Sequence, residues 1–171
     1  MLSSPGSNPR EAPIPLGEPE IAAADLGLRR KGGLGLAVFA RLASGRVERL
    51  LPGARLLPGE VVRFEVTAER PGSLVLVGLD AARVVTPYVP RSGPALLLPA
   101  GRAQVPEGSI LLDEALGPER FVAVLCGTPL DVAQVVETAR AALKASDPRR
   151  IERLDLPCPQ ASFLIEKVRR R

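Results

Sequence analysis

The stretch Arg29-Arg30-Lys31-Gly32-Gly33-Leu34-Gly35-Leu36-Ala37 sets three cations ahead of closely spaced glycines, residue types that can cradle a phosphate. Phosphate binding needs more than composition. A dinucleotide fingerprint, G-x-G-x-x-G, must follow a strand and open a helix, so that backbone N–H groups and the helix dipole meet the pyrophosphate. Counted from Gly33, the third glycine position is Val38, and the residues around it read as a strand. A P-loop, G-x-x-x-x-G-K-[ST], occurs nowhere in the chain. The glycines are therefore expected to permit a turn or a close strand approach.

Other catalytic vocabulary is thin. No histidine occurs in the 171 residues, which removes Ser–His and Cys–His nucleophile pairs and imidazole metal ligands. Asp113-Glu114 reads as a strand end and Asp80 as part of a turn. They would serve as a glycosidase or divalent-metal pair only by converging in space. Ser109 and Lys144 carry no local signature of a Ser–Lys dyad. The sequence thus predicts a non-enzymatic chain, with no catalytic, cofactor-binding or metal-ligating residue assigned and no cofactor.

Binding is the other use of exposed side chains. The candidates are Tyr88 with Arg91 in the adjoining 91–94 loop, Arg149 and Arg150 after Asp147-Pro148, and the end Arg169-Arg170-Arg171. Tyr88 fits equally a core ring with its hydroxyl at the rim. The expected partner is another protein. Nucleic acid is not expected: the net charge of +4 comes from scattered arginines, and aromatics available for stacking make up 3%. Arginine alongside abundant Ala, Gly and Pro matches the composition of a GC-rich genome.

The elements that must position these residues read as β-rich. Short apolar runs separated by Pro-Gly turns cover Leu34–Arg41, Val47–Leu51, Val61–Ala68, Ser73–Leu79, Arg83–Tyr88, Leu96–Leu98, Ser109–Asp113, Phe121–Cys126 and Ser162–Val168. Val61–Ala68 alternates apolar and polar residues, as a half-buried strand does. Ser73–Leu79 and Phe121–Cys126 are apolar on both faces and read as central strands. One helix is predicted over about 128–145, with Thr128 as N-cap, Pro129 in the first turn and an apolar stripe through Val132, Val135, Val136, Ala139, Ala142 and Leu143. The prediction is a mostly β fold, an antiparallel sandwich or partly closed barrel with one packed helix. It comprises a flexible tail over 1–20, a single domain over 32–168 and a basic end at 169–171.

Two cysteines do not make a disulfide framework. Cys126, in an apolar run, reads as a buried thiol and Cys158, in Pro157-Cys158-Pro159, as more exposed; the spacing does not suggest a bridge, though it leaves one open. There is no signal-peptide pattern and no apolar run near the roughly 18 residues of a membrane span. The expectation is a soluble cytoplasmic protein.

The stretch from Leu50 to Pro90 resembles a bacterial β-rich domain family of unknown function. The matching parts are Pro58-Gly59-Glu60, Val62-Arg63-Phe64-Glu65-Val66, Gly72, Leu74-Val75-Leu76-Val77 and Tyr88-Val89-Pro90. Leu98-Pro99-Ala100-Gly101 and the run from Gly108 to Leu130 are similar to the later half of myxobacterial sequences of that kind. Such domains are appended to signalling proteins, including kinases, caspase-like peptidases and anti-sigma-type regulators. The resemblance implies an accessory or regulatory interaction module and brings no catalytic residues. Two other readings stand beside it: a small-ligand or carbohydrate-binding sandwich, and a nucleic-acid-associated regulator. Exposed sheet edges leave a homodimer open.

Overall fold

A computed structural model describes residues 33–170, without the side chains of 104 and 106–108. The expected tail over 1–20, Gly32 and Arg171 lie outside the described residues. In chain order the elements are β1 (Leu34–Arg41), β2 (Val47–Arg49), β3 (Ala54–Leu56), β4 (Val61–Ala68), β5 (Gly72–Asp80), β6 (Val85–Val89), β7 (Leu96–Leu98), β8 (Gly101–Leu111), β9 (Gly117–Cys126), α1 (Val132–Ala145), a 3₁₀ turn (Pro148–Arg150) and β10 (Gln160–Lys167).

Two sheets result. The first has the order β2-β1-β4-β8 and is antiparallel throughout. The second runs β3-β10-β9-β5-β6, with β7 also paired to β5; only β3, beside β10, is parallel to its neighbour. They form the mostly β sandwich with one packed helix that the sequence predicts, and they stay separate rather than closing into a barrel.

Strand periodicity explains the layering. On β4, Val62, Phe64, Val66 and Ala68 are buried while Arg63 and Thr67 are exposed. Alternate residues of a strand face opposite ways, so the two-sided apolar strands β5 and β9 feed two cores. Leu74, Leu76, Phe121, Ala123 and Leu125 join the core between the sheets. Val75, Val77, Leu79, Val122, Val124 and Cys126 face the other way, onto Val132, Val135, Val136, Ala139 and Leu143 of α1. The core between the sheets is centred on aromatic rings: Phe64 and Phe121 meet edge-to-face at 4.8 Å, and Tyr88 packs 5.8 Å from Phe121.

The glycine-rich stretch ends as a turn and a strand. Gly33 takes a positive φ of 66°, and Gly35 lies within β1 opposite Thr67. Elsewhere the boundaries move. The helix is capped by Asp131, whose carboxylate accepts the Ala133 N–H at 2.8 Å, so Thr128 and Pro129 precede it. The strand β8 begins at Gly101, well before the expected Ser109; Gly101, Pro106 and Gly108 read as punctuation in the sequence and hide its first part. On an edge strand they are tolerated: Phe64 pairs with Val105 and Val62 with Ile110, so residues 106–109 bulge from the ladder. Cys126 is buried as expected but is not a thiol; it is bridged to Cys158, with Cα atoms 5.0 Å apart. Spacing along the chain could not reveal this contact, which depends on the segment after α1 folding back onto β9.

Candidate functional site

Period-two alternation carries a charged residue inward near the ends of three strands. Ala161, Phe163 and Ile165 of β10 point into the core between the sheets, and the next residue of that parity is Lys167. On β9 the same parity gives Phe121 and then Glu119; on β5 it gives Leu76, Gly78 and Asp80. Lys167 and Glu119 are 2% and 3% exposed, which places an ion pair inside one end of the sandwich.

The cluster is closed on itself. Lys167 Nζ lies 2.8 Å from Glu119 Oε2 and 2.5 Å from Asp113 Oδ1. The Tyr88 hydroxyl donates to Glu119 Oε1 at 2.7 Å. The Asp80 carboxylate accepts the Val84 N–H in the β5–β6 turn. Gly78 makes room for this arrangement: a Cβ there would come 2.6 Å from Tyr88 Cε2 and 2.8 Å from Glu119 Oε1. Burial alone would push the Lys167 ammonium toward neutrality, but hydrogen bonds and charge from Asp113 and Glu119 outweigh it and hold its pKa above the ordinary lysine value. Burial, reinforced by the Glu119 charge, holds the Tyr88 phenol far above the ordinary tyrosine range. The amine stays protonated and paired, and the phenol stays neutral, so the arrangement is suited to locking strands together rather than to nucleophilic chemistry. Among the described residues no set of three or more His, Cys, Asp or Glu is placed to hold a metal ion.

Around the same end lies an open groove of about 440 Å³, lined by Leu57, Pro58, Glu114, Leu116, Arg169 and Arg170. Each wall is anchored. The Val168 N–H bonds the Leu56 carbonyl at 2.8 Å, fixing the segment that leads to the arginines beside β3. The Gly59 N–H reaches the Leu112 carbonyl at 2.9 Å, tying the 57–60 turn to the end of β8. The Lys167–Asp113 bond joins β10 to the loop that carries Glu114 and Leu116. Arg169 and Arg170 are exposed and take part in no ion pair among the described residues.

The sequence candidates therefore separate. Arg169 and Arg170 share the groove. Tyr88 is half-buried against the core between the sheets and reaches toward the groove through Glu119 and Lys167. Arg91 lies at the opposite end, in an exposed loop where the Gly93 carbonyl accepts the Val132 N–H at the start of α1. Arg149 forks onto Glu166, with Nε–Oε1 at 2.7 Å and Nη2–Oε2 at 2.9 Å, and Arg150 is exposed beside it. Arg171 lies outside the described residues.

Glu119, Lys167 and their partnership were not identified from the sequence. A signal existed: each continues the inward parity of an apolar strand, where an unpaired charge would be costly. Starting β9 at Phe121 left Glu119 and Arg120 in a loop. In the structure Arg120 is buried on the helix side of β9 and donates to the carbonyls of Pro148 at 3.0 Å and Arg149 at 2.6 Å, holding the 3₁₀ turn against the sheet. Among the described residues, no helix is long and apolar enough to cross a membrane. No protein-family model, curated protein or solved structure matches the chain.

Proposed function

We propose that this chain is a non-enzymatic protein-interaction module, an accessory or regulatory part of a bacterial signalling system. It docks an acidic, partly apolar segment of another protein in the groove at the end of the sandwich. The observation that carries this reading is the contrast between two sets of charges at that end. The buried set, Lys167 with Glu119 and Asp113, satisfies itself; the exposed pair Arg169 and Arg170 faces an apolar wall of Leu57, Pro58 and Leu116. Arginine beside apolar surface favours carboxylate-bearing peptide, because the planar guanidinium offers forked donors and is weakly hydrated. Glu114 is the one acidic residue of the lining, and it would reject an all-acidic ligand lacking apolar contacts. A stacking ligand such as a carbohydrate finds less support, since Phe64, Phe121 and Phe163 are buried and the Tyr88 hydroxyl is engaged by Glu119, which leaves the half-buried Phe39 of β1 as a single ring.

The test compares full-length wild type with Arg169→Glu/Arg170→Glu and a control, Arg91→Glu, each used as bait in host lysate with and without nuclease treatment. The reading expects a stoichiometric protein that co-purifies with wild type and with Arg91→Glu, and whose recovery drops at least tenfold with the double variant at unchanged melting temperature. Equal recovery by all three would overturn the groove. Recovery of nucleic acid alone, lost at high salt, would overturn the protein-partner reading.

A further inference from the structure

The segment between the 3₁₀ turn and β10, residues 151–159, forms no helix or strand. It nevertheless completes the helix-side core, contributing buried Ile151 and Leu154. Few bonds hold it there. Gln160 receives the Leu154 N–H at 2.7 Å and donates to the carbonyls of Leu154 and Leu156. The Pro159 carbonyl accepts the Leu125 N–H at 3.0 Å. Pro157 and Pro159 offer no backbone donor. The covalent attachment is the Cys126–Cys158 bridge, which closes a loop of 32 residues around α1.

We infer that this chain is a substrate for oxidative thiol–disulfide exchange and works in an oxidising compartment, where Cys126–Cys158 staples the 151–159 segment to β9. Structural disulfides persist in secreted and periplasmic settings and are rare where thiols are kept reduced. The inference replaces the cytoplasmic expectation drawn from the sequence.

The exposure of the two residues sets the order of events. Cys126 is 2% exposed, whereas Cys158 is half-buried in its loop. The Cys158 thiolate attacks one sulfur of an oxidant's disulfide, releasing one oxidant thiolate and leaving a mixed disulfide. The Cys126 thiolate then attacks the Cys158 sulfur and releases the second. Two thiol protons leave the chain, and two electrons pass to the oxidant, whose disulfide becomes two thiols.

The test is maleimide–polyethylene glycol labelling of full-length protein taken from its own host under acid quench. Without reductant no label should add; after denaturation and reduction two should. Reduction should lower the folded-to-unfolded ratio about 10²- to 10³-fold, the loop-closure effect for a ring of this size. Cys126→Ala/Cys158→Ala should match the reduced protein, and failure of that variant to fold at all counts as the same loss in extreme form. Oxidised glutathione should modify Cys126→Ala at Cys158 faster than it modifies Cys158→Ala at Cys126. Two labels on unreduced protein from the host, or a folded-to-unfolded ratio from urea unfolding that reduction leaves unchanged, would overturn the inference.

Discussion

Replacing Lys167 by methionine would remove the cation but keep most of the length of the side chain. In the wild-type fold the Lys167 side chain is 1% exposed and that of Glu119 is 4% exposed, so the loss strands a carboxylate inside the sandwich. Breaking a buried pair by removing one partner costs about 3–5 kcal/mol. The lower part of that range applies here, because the Tyr88 hydroxyl still donates to Glu119. Asp113 adds little, since its side chain is 60% exposed and regains water when released. The expected cost is therefore about 3 kcal/mol, a large share of the stability of a domain this size. Adding Glu119→Gln removes the stranded charge and keeps an acceptor for Tyr88, so the double variant should sit within about 1 kcal/mol of wild type. Urea unfolding at neutral pH, followed by far-UV circular dichroism, measures both values. A single variant within 1 kcal/mol of wild type, or a double variant as unstable as the two single effects added, would refute the closed-cluster reasoning.

Gly78→Ala should destabilise by about 1–3 kcal/mol, because the new methyl overlaps both Tyr88 and Glu119. Tyr88 is the sole tyrosine and the chain has no tryptophan, so tyrosine fluorescence should report the same change locally. Alkaline titration should show one cooperative step. The folded pKa values of Lys167 and Tyr88 both lie above their ordinary values of 10.5 and 10.0, so their contribution is complete below about pH 10 and is lost as pH rises through the folded values. Tyrosinate absorbance should therefore appear together with unfolding; its appearance in folded protein near pH 10 would contradict the buried Tyr88–Glu119 contact.

Much of the architecture was legible because it rests on local chemistry. Alternation in Val61–Ala68 and the two-sided apolar runs at the centres of β5 and β9 specify a sandwich with one face covered by the helix. What depends on distant pairing was not legible. The β3 strand has three residues and exists through its parallel pairing with β10, more than a hundred positions away. The Cys126–Cys158 contact depends on how the chain after α1 returns to the sheet. The candidate site was half visible: Arg169 and Arg170 were singled out as exposed cations, but their groove is assembled from residues near 57, 115 and 170. Lys167 and Glu119 required knowing that β9 begins at Gly117 and that the two strands pair in a register bringing Gly117 opposite Lys167.

The docking reading is tested most directly by placing a photo-crosslinking amino acid at Leu116 in the groove and, separately, at Leu97, which is 80% exposed on β7 beside the far end of the sandwich. Irradiation in host lysate followed by peptide mapping would locate the contact. The reading predicts an adduct from Leu116, carried by a partner segment rich in Asp and Glu with interspersed apolar residues, and abolished by Arg169→Glu/Arg170→Glu. An adduct formed from Leu97 but not from Leu116 would contradict it.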